Sequence, residues 1–239
     1  MMMNKSIALG SLALSFYLAT ALPVQAANDG GVRLKQTRVV MKDGAKTGFF
    51  EIENHYEKPI LVSAWMTEED GSSNRDFVVT PNIFKLNAER AGGAKIYRIN
   101  PLPKDRESVF YLAVRTMPTA GPEKIGNEAH MVTSLTQRIK VFYRPEGLKG
   151  DHKYAAERLR MTKEGGKLIA ENATGLSVSL AGVLNEKDER VAVNQVVLPF
   201  EKVEVKTENG DSIVANVNAF QYVNEWGGWV TQPITVKSK

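Results

Sequence analysis

From residue 32 onward, hydrophobic positions fall in short runs that alternate with polar ones, and Gly, Pro, Asn and Asp break the runs apart. Alternation with a period of two over four to eight residues predicts half-buried strands. In the first half the predicted strands cover residues 32–41, 49–53, 60–66, 77–86, 94–99, 109–114 and 129–143. The last is the longest, with no Gly or Pro inside it. Arg144-Pro145 closes it, and the polar link EGLKGD (146–151) follows. A second series covers 159–162, 167–172, 176–184, 191–197, 202–206, 213–217 and 229–236. Asp43-Gly44, Gly165-Gly166 and Asn209-Gly210 carry the composition of tight hairpin turns. No segment keeps a 3.6-residue period through three turns. Two runs of about seven short strands predict an all-β chain of two immunoglobulin-like sandwiches, residues 27–145 and 152–239, joined by the link 146–151.

The first residues follow a different pattern. Lys5 precedes an apolar stretch at 7–22, then Pro23 and the small-residue sequence Val24-Gln25-Ala26. That order predicts a secretory signal, residues 1–26, cut after Ala26. The stretch falls short of the roughly 20 apolar residues that a spanning helix needs. No later run reaches that length, so no membrane insertion is expected.

Composition then narrows the chemistry. The chain of 239 residues has no Cys, which removes disulfides, thiol catalysis and cysteine-ligated metals. Three His, at 55, 130 and 152, show no metal-ligand or triad spacing. A net charge of +4 is too small to indicate nucleic acid. No nucleophile elbow, P-loop or zinc-protease motif is present. The sequence therefore predicts neither enzyme activity nor a cofactor. Asn172-Ala173-Thr174 matches a glycosylation sequon by pattern alone.

Several longer motifs carry a resemblance. Asp105-Arg106-Glu107-Ser108-Val109-Phe110-Tyr111-Leu112 is followed by Arg115 and Pro118, and Ile139-Lys140-Val141-Phe142-Tyr143-Arg144-Pro145 comes later. Thr37-Arg38-Val39-Val40 precedes both, and Glu171-Asn172-Ala173-Thr174 and Val223-Asn224-Glu225-Trp226-Gly227-Gly228 lie in the second half. In this order they resemble the periplasmic pilus-assembly chaperones of the chaperone–usher pathway. The resemblance implies two immunoglobulin-like domains in a boomerang arrangement with an interdomain cleft. It also implies a periplasmic protein that holds fimbrial subunits by donor-strand complementation and delivers them to an outer-membrane usher.

The resemblance assigns roles to particular residues. Arg38 and Lys140 would anchor the subunit's C-terminal carboxylate. Ala129, Met131, Thr133, Leu135, Gln137 and Ile139 would form the inserted row of the donor strand, with Thr133 where a bulkier aliphatic residue is usual. Glu107, Arg144 and Glu225 would form an interdomain salt-bridge network, with Glu225 in place of the usual Asp. The residues between Pro118 and Ala129 look like the short-loop branch of the family. A long exposed strand edge is ordinarily an aggregation hazard, whereas in a strand donor the same edge is the binding site. That edge also makes a self-capping dimer of the free protein an expectation. The rival reading is a secreted two-domain adhesin or carbohydrate-binding protein.

Overall fold

The computed structural model describes residues 31–119, 134–214, 216–234 and 237–238, with side chains described to residue 234. The expected signal segment 1–26 lies outside them. The first half contains β1 (Val32–Leu34), β2 (Arg38–Met41), β3 (Thr47–Asn54), β4 (Ile60–Thr67), β5 (Phe77–Thr80), β6 (Ile83–Leu86), β7 (Arg90–Arg98), β8 (Ser108–Pro118) and β9 (Leu135–Tyr143). The second contains α1 (His152–Ala156), β10 (Arg160–Glu164), β11 (Lys167–Glu171), β12 (Val178–Asn185), β13 (Arg190–Val197), β14 (Lys202–Glu204), β15 (Val217–Val223), β16 (Trp229–Pro233) and β17 (Lys237–Ser238).

Four sheets result, with strand orders β1-β3-β7-β5 and β2-β9-β8-β4-β6 in the first half, and β14-β11-β10-β17 and β13-β12-β15-β16 in the second. Each pair of sheets closes on its own apolar core. Phe50, Ile52, Val62, Ile96, Leu112 and Val141 are among those that fill the first. Leu168, Val178, Leu180, Val193, Phe220 and Tyr222 are among those that fill the second. The alternation follows from the pleat: in β3 the buried positions are Phe50, Ile52 and Asn54, and in β4 Ile60, Val62, Ala64 and Met66, with Thr67 buried as well at the strand end.

Several boundaries depart from the predicted ones. The 32–41 and 77–86 runs each split into two strands, because the chain changes sheets within them. Asp43 and Gly44 adopt φ of 53° and 68°, as a tight turn requires, yet β2 and β3 lie in different sheets and do not form a hairpin. β15 replaces the predicted 213–217 strand, and the one-turn helix α1 was not predicted at all. Asn172, from the sequon, is buried: its amide donates to the carbonyls of Leu176 (2.7 Å) and Leu198 (3.0 Å), and its oxygen accepts from the Thr174 amide (3.0 Å). It pins a turn inside the second sandwich.

Candidate functional site

The register of β9 creates an asymmetric edge. On one side β8 pairs antiparallel with all of β9, from Thr116↔Leu135 to Ser108↔Tyr143. On the other side β2 pairs with it in parallel, and only from Arg38↔Lys140 to Met41↔Tyr143. The chain ahead of Arg38 has turned into the opposite sheet, where the Lys35 amide donates to the Glu51 carbonyl at 3.0 Å. Residues 135–139 of β9 thus have one ladder partner among the described residues and a free backbone edge about 16 Å long. Leu135 is 52% exposed and Ile139 is half-buried against the first core. Gln137 lies between them, opposite Val114. Ala129, Met131 and Thr133 lie outside the described residues.

Arg38 and Lys140 stand where the free edge stops. Cross-strand pairing makes them direct neighbours, 102 positions apart in sequence, on the face turned away from the first core. Arg38 is only 8% exposed. Its Nη1 donates to the Val223 carbonyl at 3.2 Å, and its guanidinium lies 5.4 Å over the Phe142 ring. Burial brings the Arg38 pKa down to about 10, against a smaller opposing pull from Glu107. Lys140 Nζ donates to Asn194 Oδ1 at 3.3 Å. Burial, and then the charge on Arg38, hold the Lys140 pKa below the ordinary ammonium range. Among the described residues neither cation forms an ion pair with a carboxylate. Two adjacent cations, partly desolvated and with no carboxylate in direct contact among the described residues, have the chemistry to attract an anion.

Val223 and Asn194 belong to the second half of the chain, so both cations contact both sandwiches. Behind them Glu107, Arg144 and Glu225 come together. Arg144 Nη2 lies 3.0 Å from Glu107 Oε1 and 2.7 Å from Glu225 Oε1, with the Arg144 side chain 4% and the Glu107 side chain 0% exposed. Glu225 also pairs with Lys42. Glu107 takes two partners from the second sandwich, the Ser177 amide (3.0 Å) and His152 Nε2 (3.2 Å to each oxygen). Burial alone would raise the Glu107 carboxyl, but His152, Arg144 and the Ser177 amide outweigh it and leave its pKa below the ordinary value. Glu225 ends low in the same way, with Lys42 and Arg144 outweighing burial. A buried carboxylate is tolerated when its lone pairs are met by donors, and both oxygens of Glu107 have them.

The 224–228 turn seats the second sandwich on the first. Gly227 has φ +86°, and a Cβ there would lie 2.1 Å from Thr37 Oγ1, so only glycine allows this approach. Trp226, 90% exposed, lines a pocket of about 410 Å³ with Arg38, Val40, Lys42 and Glu225. His152, Asn194 and Ser177 complete the site without any sequence motif announcing them. Among the described residues no cluster of His, Cys, Asp or Glu is placed to hold a metal.

Comparison with known proteins places the chain in a family. Residues 31–149 match the model of the pili and flagellar-assembly chaperone PapD N-terminal domain, and residues 154–234 match that of the PapD C-terminal domain. The chain therefore belongs to the chaperone–usher pilus-assembly chaperones, a non-catalytic class of proteins. It is 35% identical over 181 residues to the probable fimbrial chaperone LpfB of Escherichia coli O157:H7, covering 75% of this chain and 74% of that protein. It is 31% identical to the probable fimbrial chaperone YadV of Escherichia coli K12, covering 87% and 91%. Among solved structures it is similar to the SafB chaperone in complex with the SafA pilin of Salmonella enterica, with a TM-score of 0.74, 25% identity and coverage of 85% and 94%. The YadV chaperone structure superposes with a TM-score of 0.68 at 28% identity, covering 84% and 97%. Family membership favours the chaperone reading over the adhesin one.

Proposed function

We propose that this protein binds fimbrial subunits in the periplasm by lending them the 129–139 stretch of its long strand. The observation that carries the reading is a free strand edge that ends on a cation pair. An extended segment laid parallel to β9 along 135–139 would meet the start of β2, so its C-terminal carboxylate would arrive between Arg38 and Lys140. Charge-assisted hydrogen bonds of this kind contribute about 1.5–3 kcal/mol each. They would also set the register of the added strand, where a slip of one residue turns every side chain to the wrong face. Ala129, Met131, Thr133, Leu135 and Ile139 would enter the subunit's groove, with Gln137 at its margin.

In this reading the Glu107–Arg144–Glu225 network holds the two sandwiches at a fixed angle and keeps the carboxylate site assembled. The functional unit is the exported chain after residue 26, with sandwiches at 27–145 and 152–239. It hands its subunit to an outer-membrane usher, where another subunit's extension replaces the lent strand. Without a subunit, two copies would cover each other's free edges. The test is periplasmic co-expression with a candidate subunit. Arg38→Ala and Lys140→Ala should abolish recovery of soluble, protease-resistant subunit, and unchanged recovery in both would remove the anchoring role.

A further inference from the structure

The anchor and the interdomain network are joined by one side chain that neither motif contains. His152 is the first residue of α1, directly after the link between sandwiches, and it is 1% exposed. Its position is set locally by Asp151, whose side chain caps the helix by accepting the Tyr154 amide at 2.8 Å. The ring makes two contacts. Nε2 is 3.2 Å from both oxygens of Glu107, so its proton is placed there, donating to the carboxylate. The ring edge also meets Phe142 at a centroid distance of 4.7 Å and an angle of 61°. Phe142 is fully buried, and Arg38 lies over it at 5.4 Å.

Arg38 itself has few other constraints. Among the described residues its Nε is buried without a partner, and its side-chain hydrogen bond is the 3.2 Å bond to the Val223 carbonyl. The plane of the guanidinium is therefore set mainly by the aromatic ring beneath it, through cation–π attraction. The tilt of that ring is set in turn by His152, since aromatic pairs have specific edge-to-face minima. Among the described residues His152 has no second hydrogen-bond partner, and its Nδ1 is buried. Among the described residues Glu107 is therefore the hydrogen-bonding partner that orients the imidazole, with Phe142 packed against its edge.

We propose that His152 is a positioning residue for subunit capture: through Phe142 it aims the Arg38 guanidinium, and through Glu107 it makes that aim depend on the two sandwiches being clamped together. The proposal rests on Arg38 being part of the carboxylate anchor. It adds that a loosened clamp disarms the anchor even though Arg38 touches none of the clamp's ionic bonds. Two substitutions separate the contacts. His152→Gln keeps a donor for Glu107 and removes the ring. His152→Phe keeps the edge against Phe142 and removes the donor.

The experiment follows the Arg38 Nε–Hε resonance by NMR in the full exported chain, with sodium acetate as the carboxylate probe. Arg190, held 4.5 Å over Trp229 on the second sandwich, serves as the internal reference. In His152→Gln the Arg38 resonance should leave its ring-shifted position while Arg190 stays in place. The apparent affinity for acetate should fall about tenfold, the loss of a fraction of one charge-assisted hydrogen bond. His152→Phe should retain more of the Arg38 shift than His152→Gln, whatever either does to the melting temperature. An Arg38 resonance unmoved in both variants overturns the proposal. The anchor reading fails separately: acetate would then leave Arg38 and Lys140 unperturbed in the unmodified protein, although the His152 substitutions still move the Arg38 signal.

Discussion

Replacing Glu107 with alanine should loosen the two sandwiches from each other. Its carboxylate is fully buried and serves four donors: Arg144 Nε at 3.3 Å, Arg144 Nη2 at 3.0 Å, His152 Nε2 at 3.2 Å and the Ser177 amide at 3.0 Å. Removing it leaves Arg144 with Glu225 as its remaining counter-charge and strands two buried donors. Breaking a buried pair from one side costs about 3–5 kcal/mol, and each stranded donor belongs to that same loss rather than adding to it. With a urea slope of about 3 kcal/mol/M, near the top of the range for small proteins, the first unfolding midpoint should fall by about 1–1.7 M. The assay is urea unfolding read by tryptophan fluorescence and circular dichroism together. Trp65 reports on the first sandwich and Trp226 and Trp229 on the second. Because two domains need not unfold as one transition, the two probes should separate in Glu107→Ala if the coupling is lost. Coincident probes with a midpoint within about 0.2 M of the unmodified protein would refute the clamp.

Other outcomes follow from the same geometry. Leu135→Asp should reduce subunit recovery strongly yet change the urea midpoint by under about 0.5 kcal/mol in stability, since the side chain is exposed. Gly227→Ala should lower subunit binding and broaden the domain arrangement seen in small-angle scattering, because its φ is +86° and the added methyl meets Thr37. Stability should also fall in acid with a defined sign. Glu107 and Glu225 both have folded pKa values below their unfolded ones, so their contribution is complete above the unfolded value near 4.3 and is lost as pH falls through the folded values. A urea midpoint flat from pH 7 down to pH 2 would contradict this.

How far the sequence reveals the site depends on what kind of group each residue offers. The period-two alternation exposes strands such as β3, β4 and β8, where Phe50, Val62 and Leu112 recur on one face. It obscures β15, because Asn216, Asn218 and Asn224 around Val217, Phe220 and Tyr222 have the composition of turns. It also cannot show that the chain changes sheets at residues 35–37, the feature that leaves the β9 edge free. Arg38 and Lys140 are visible as residues of motifs, but their adjacency arises from a parallel pairing across 102 positions. Glu107, Arg144 and Glu225 likewise occur in separate motifs: the β8–β9 pairing brings the first two together, and Glu225 joins them only when the sandwiches dock. His152 is harder to see, because its partners Glu107 and Phe142 come from the other sandwich. The Val223 carbonyl that holds Arg38 is backbone, which no side-chain pattern can mark.

Hydrogen–deuterium exchange on the free protein and on its complex with a fimbrial subunit tests the central claim most directly. Strand donation predicts that amides across 135–139 gain strong protection in the complex, while those of β6 at the far edge of the same sheet, and of β4 beside it, stay as they were. Unchanged exchange across 135–139 in a stable complex, with protection appearing elsewhere, would show that the subunit is held by a different surface.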